Sequence, residues 1–127
     1  MDAVRSYLRR RYCPDFSVQG GIARLVEGWE RVVASVVAGQ EQFEDDYLND
    51  MDGRGILEEV LAIAPPIERN LWSDRIAAAD QRIRSHLVPT RECIGGEENA
   101  QSRRYARERD WWYFHRPRAV EPGWSAF

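Results

Sequence analysis

Lysine is absent from this 127-residue chain; all eighteen cationic side chains are arginine. Guanidinium is a planar fork of donors suited to carboxylate pairing and to stacking on aromatic rings. Cysteine is scarce. Cys13 and Cys93 stand 80 positions apart, with no Cys-x-x-Cys spacing and no neighbouring histidine, which predicts two reduced thiols and no disulfide framework. The longest apolar stretch, Val32 to Ala38, is far short of the roughly 20 residues of a membrane span. The first residues show no apolar block before a small-residue cleavage site, so no secretory signal is expected and the expected location is cytoplasmic. Gly20-Gly21 and Gly95-Gly96 lack the glycine or Lys-Ser/Thr that would follow in a phosphate-binding loop.

What is present suits one folded domain. Hydrophobic residues make up 43% and charged residues 31%, globular values rather than those of a disordered chain. The net charge of −3 conceals a partition. Residues 41 to 59 hold eight acids (Glu41, Glu44, Asp45, Asp46, Asp50, Asp52, Glu58, Glu59) against Arg54 alone. Residues 103 to 118 hold six arginines against Glu108 and Asp110, and the first twelve hold four against Asp2.

The apolar spacing is helical almost throughout. Asp2 is placed to cap a short first helix bearing Val4, Tyr7 and Leu8, which Cys13-Pro14-Asp15 breaks. After Gly20-Gly21, Ile22, Leu25, Val26, Trp29, Val32, Val33 and Val36 repeat at helical intervals as far as Gly39. Their β-branched side chains cost helix propensity that only burial repays, so this helix is predicted to be the central strut. Phe43 and Tyr47 mark a helix on the acidic segment, which Asp52-Gly53-Arg54-Gly55 is expected to interrupt. Another amphipathic piece, Ile56 to Ala64, closes at Pro65-Pro66, and a long helix is expected from about Ile67 to Leu87. A polar helix from Glu97 to Arg109 and an extended aromatic tail over residues 110–127 complete the reading. The prediction is an all-α, single-domain bundle of about five helices, residues 1–127, with the tail packed on it.

Two features bear on function. The first is the crowd of acids, whose like-charge neighbours on a helix each cost about 0.2–0.5 kcal/mol. The basic ends of the chain fold over them, or the face is simply solvated, or they steer a cationic partner. The second is the tail: seven of the fourteen aromatic residues (Tyr105, Trp111, Trp112, Tyr113, Phe114, Trp124, Phe127) lie in the last 23 positions. On an extended strand Trp111 and Tyr113 would pack inward while Trp112 and Phe114 face elsewhere, so the tail either straps the helices together and completes the core or presents a protein-binding hot spot. Arginines interleaved with rings also suit single-stranded nucleic acid, but a surface with so acidic a patch repels phosphate.

Signals of chemistry are thin. A calcium loop with Gly53 or Gly55 as its sixth residue would put Leu48 at its first position or Arg54 at its fifth. His86 and His115 have no nucleophile or acid at a telling spacing. No metal cluster and no cofactor is expected, and no enzymatic activity.

The box Tyr47-Leu48-Asn49-Asp50-Met51-Asp52-Gly53-Arg54 leads into Leu57-Glu58-Glu59-Val60-Leu61, with Trp111-Trp112 and Arg116-Pro117 near the end. In this it resembles small all-helical bacterial proteins of the polymorphic-toxin immunity type. The resemblance implies a partner rather than a reaction. The expected function is therefore neutralisation of a basic toxin domain, through Glu44, Asp45, Asp46, Asp50, Asp52 and Glu58 with Trp112 and Phe114. The rivals are a small enzyme or enzyme subunit with carboxylates in a cleft, and an oligomeric scaffold with Trp112 and Phe114 between copies.

Overall fold

The computed structural model describes residues 3–11, 13 and 15–126, the side chains of 15–19 excepted. The expected Asp2 cap, Pro14 and Phe127 lie outside the described residues. The elements are α1 (Ala3–Arg10), α2 (Asp15–Val37), α3 (Glu44–Ile63), α4 (Pro66–Arg84), β1 (Leu87–Pro89), α5 (Glu97–Arg103), a 3₁₀ turn (Trp111–Tyr113) and β2 (His115–Pro117). Five helices thus carry an all-α domain, and the two short strands pair antiparallel with Leu87 opposite Pro117.

The valine-rich stripe of α2 is the strut that its composition predicts: Ile22, Val26, Trp29, Val33 and Val36 are buried, and α1, α3 and α4 all pack on this helix. Helical turns continue upstream of Gly20, with a kink at Gly21, whose φ of 60° is one that glycine alone adopts readily. On α4 the stripe is only partly real. Ile76, Ala79 and Ile83 are buried, but Ile67, 87% exposed, and Leu71 face solvent.

The largest departure from expectation is in α3, which runs unbroken through Gly53 and Gly55. Two helix-interior glycines cost about 0.8–1.0 kcal/mol each relative to alanine. The residue between them supplies the reason they are tolerated. Arg54 is only 4% exposed. Its Nε and one terminal nitrogen donate to the two oxygens of Asp80 on α4 at 3.0 and 2.7 Å, and its other terminal nitrogen donates to Glu58 at 2.9 Å. Its guanidinium also lies 4.6 Å from the Trp112 ring centre. Trp29 of α2 donates its indole N–H to Asp80 at 2.9 Å. One cation therefore joins α2, α3, α4 and the tail, and tertiary contact overrides local propensity.

Two further boundaries differ. The long helix ends at Arg84, and Leu87 enters β1 instead. The helix expected to reach Arg109 stops at Arg103, because Arg104 adopts a left-handed conformation (φ 57°, ψ 40°) and its N–H closes on the carbonyls of Ala100 and Gln101. Beyond it, the Asp110 carboxylate accepts the Ala106 N–H and turns the chain back toward α3.

The tail is not extended at its start. The 3₁₀ turn fans successive rings about 120° apart, so strand-like alternation never arises. Trp111, Trp112, Tyr113 and Phe114 are all buried. Arg84 stacks on Trp111 at 4.4 Å and Arg107 on Phe114 at 4.7 Å, while Tyr113 stacks on Tyr105 with centroids 4.1 Å apart. Further on, the tail straps the N-terminal end of α3. Glu121 N–H and the Trp124 indole both donate to the Gln42 carbonyl, at 3.0 and 2.9 Å, and Trp124 covers Tyr47.

Replacing Arg54 by alanine would leave Asp80 part-buried without its cation. We expect a loss of about 3–5 kcal/mol, as for other broken buried pairs. Urea denaturation checks this, and a loss below about 1 kcal/mol would remove Arg54 from the centre of the fold.

Candidate functional site

At 100° per residue, acids spread over positions 44 to 59 cannot share one face, and α3 distributes them among three environments. Glu44 is taken by the strap: its carboxylate accepts the backbone N–H groups of Ser125 and Ala126, each at 3.1 Å, and the Ser125 hydroxyl at 3.0 Å. Asp52 accepts the Tyr113 hydroxyl, and Glu58 accepts Arg54. Glu59 faces Arg11 of the basic N-terminal stretch at 3.8 Å. Three of the six acids expected to dock a partner are thus engaged by the molecule itself, though by backbone, a tyrosine and a same-helix arginine more than by the basic ends.

Asp45 and Asp46 remain exposed in the first turn of α3. There the helix dipole favours negative charge, which relieves part of their mutual repulsion from within. Beside them Phe43 is 60% exposed, on the residue that precedes the helix. The bridge between Gln42 and Val120 brings Glu121 to Glu41. Slight desolvation and the Glu41 carboxylate both push the Glu121 carboxyl above its ordinary value. The result is an exposed ring at the α3 N-terminus, with Glu41, Asp45 and Asp46 within three positions of it along the chain and Glu121 beside Glu41.

Asp50 points the other way, into a groove of about 330 Å³ between α2 and α3, lined also by Arg24, Gly28, Trp29, Arg31 and Gly53. Burial, then the nearby Asp46, pushes its carboxyl up to about 6. On the opposite side of α3, a cleft of about 630 Å³ opens against residues 103–113. Its walls carry Asp52, Glu58, Glu59 and Asp110 together with Arg11, Arg103 and Arg109, and Gly55 and Trp112 lie along it. Burial also raises the Glu59 carboxyl, against the lowering effect of Arg103.

Trp112 and Phe114, expected as docking rings, are 2% and 6% exposed and belong to the core. Their burial follows from the 3₁₀ turn and from the arginines that stack on them. Those same stacks occupy the alternation of ring and guanidinium that would otherwise suit nucleic acid. Cys93 is buried, its thiol pushed up to about 11 mainly by desolvation, so it is no nucleophile at neutral pH. Among the described residues no group of three or more His, Cys, Asp or Glu side chains could hold a metal ion, and no helix is long and apolar enough to cross a membrane. Sequence reasoning missed Asp80 and gave Trp29 and Gly55 no part in a site. The one available signal was Arg54 alone among eight acids with Glu58 four positions on.

Comparison with protein-family models, with curated proteins and with solved structures finds no match.

Two outcomes test this geometry. The folded state holds the Asp50 proton more tightly than the unfolded chain does. Its contribution to stability is therefore full below about 4 and is lost as the pH rises through about 6. Asp50→Asn should raise the urea midpoint at pH 7 relative to wild type, and the gain should shrink to nothing at pH 4. Glu44→Ala should cost about 1.5 kcal/mol, the lower end for bonds to a charged group because the site is open to solvent. Hydrogen exchange should then accelerate at Ser125 and Ala126 before it does in α2.

Proposed function

We propose that this chain is a protein-binding module that sequesters or neutralises a cationic protein partner, and that it presents the N-terminal end of α3 to it. The observation that carries this reading is Phe43, a large ring left 60% exposed while Trp111, Trp112, Tyr113, Phe114 and Trp124 of the tail are buried. Close to it along the chain stand Glu41, Asp45 and Asp46, with Glu121 beside Glu41. An aromatic anchor within a charged rim is the usual form of an interaction hot spot. The acids would speed and orient the approach of a basic surface, and a guanidinium or ammonium between Glu41 and Glu121 would relieve their repulsion. The docking set is narrower than the sequence suggests. Glu44, Asp52 and Glu58 hold the fold, Asp50 lies in the α2–α3 groove, and Trp112 and Phe114 lie in the core.

The resemblance to immunity proteins of bacterial toxins supplies the biological form of this reading. The partner would be a basic toxin domain, and this chain would act by occlusion without performing chemistry. An acidic surface imitates the phosphates that a nuclease binds, which makes a nuclease a fitting target. The rival, an enzyme with carboxylates in a cleft, has the cleft beside Gly55 in its favour. One oxygen of each of its acids, however, is already held, by Tyr113, Arg54, Arg11 or the Ala106 amide, which suits them to holding a group more than to moving a proton. An oligomeric scaffold built on Trp112 and Phe114 has lost its rings to the core.

The test is comparative capture from the native host on immobilised wild type and on a Phe43→Ser, Asp45→Asn, Asp46→Asn triple variant. A basic protein held by wild type, released by salt and reduced at least tenfold on the variant supports the reading. Equal retention on both overturns it. For the immunity form, growth arrested by expression of the captured protein should be restored by wild type and not by the variant.

A further inference from the structure

From the cleft between α3 and residues 103–113, we infer a second site that binds a small zwitterion carrying the ammonium and carboxylate of an amino acid. Three independent observations meet there. The first is a donor without an acceptor: the Trp112 indole N–H is buried and unpartnered in a side chain that lines the cleft. A buried orphan donor costs stability unless something supplies an acceptor. None of its neighbours supplies one, and the guanidinium over the face of the ring can only donate.

The second is Gly55. Glycine in a helix interior is a cost, and nothing in the fold demands it here. A Cβ at this position would meet the Tyr113 hydroxyl at 3.5 Å and Trp112 Nε1 at 3.8 Å, both ordinary contacts. Alanine would therefore fit and would favour the helix. The missing methyl leaves vacant a position 3.5 Å from the tyrosine hydroxyl and 3.8 Å from the orphan indole nitrogen. An acceptor oxygen reaching past Gly55 would meet the indole N–H, whereas the Tyr113 hydroxyl is already engaged, with Asp52 and with the Tyr105 hydroxyl.

The third is the charge of the walls. Asp52, Glu58, Glu59 and Asp110 stand against Arg11, Arg103 and Arg109, a nearly neutral lining of interleaved signs. Such a wall disfavours a bare anion or a bare cation and suits a ligand carrying both. Glu58 gives one oxygen to Arg54 and Asp52 gives one to Tyr113, so each keeps a free oxygen for an ammonium. Arg103 at the rim is available to a carboxylate whose other oxygen takes the indole proton. The volume, about 630 Å³, lies in the range of small-molecule sites. This site is independent of any protein partner at the α3 N-terminus.

Nitrogen-15 NMR of the full chain tests it, with the twenty proteinogenic amino acids added singly. At least one should shift the Trp112 indole proton downfield with saturation. Sodium acetate and ammonium chloride alone should not, and the amide of the active amino acid should bind at least tenfold more weakly. Gly55→Ala should melt at a higher temperature than wild type and yet lose the shift. The proposal is overturned if none of the twenty moves the Trp112 proton, if acetate alone moves it equally, or if Gly55→Ala responds as wild type does.

Discussion

One buried guanidinium organises this domain. Arg54 binds Asp80 through two parallel hydrogen bonds and Glu58 through a third, with Trp112 against its face. A cation so far from water is tolerable only when its donors are met and its charge is matched. The contact fixes the rotation of α3, because Arg54 must face α4. That rotation then decides where every acid on the helix points. It sends Asp50 toward α2 and Asp52 and Glu59 toward the chain's C-terminal quarter. The proposed docking end and the proposed ligand cleft are both consequences of this choice.

The glycines that flank Arg54 are part of the same arrangement. Two residues apart on a helix, they lie on nearly opposite sides. Gly53 lines the groove with α2, and Gly55 lines the cleft with residues 103–113. A pair that looks like a helix breaker in one dimension becomes, in three, a thinning of the helix on both flanks. The fold holds α3 straight there through the arginine between them.

Most of the helical architecture could be read from spacing. The stripe from Ile22 to Val36 announces α2, and Pro65-Pro66 announces the start of α4, because period and breaker are local properties. What escaped were properties of contact. Arg54 reads as a lone cation in an acidic segment, and Asp80, 26 positions away, carries no mark of its role. The tail misled for a related reason: aromatic residues favour strands when other forces are absent, but here four rings each found a separate wall and a 3₁₀ turn delivered them there. The acidic segment was legible as charge and illegible as a site. Which carboxylates remain outward depends on Ser125, Tyr113 and Arg54, none of which the acids themselves indicate.

The strap has a consequence for how the molecule is made. Trp124 closes on the Gln42 carbonyl from 82 positions downstream, and Tyr47, fully enclosed in the finished fold, lies partly beneath that ring. Synthesis proceeds from one end at about 5–20 residues per second, so α3 waits on the order of 4–16 s for its cover to be made. Through that interval Tyr47 and the ring of Phe43 share an uncovered surface on the nascent chain. Helices α1 to α4 can already be docked by then, which leaves the final quarter of the chain to wrap a nearly assembled body.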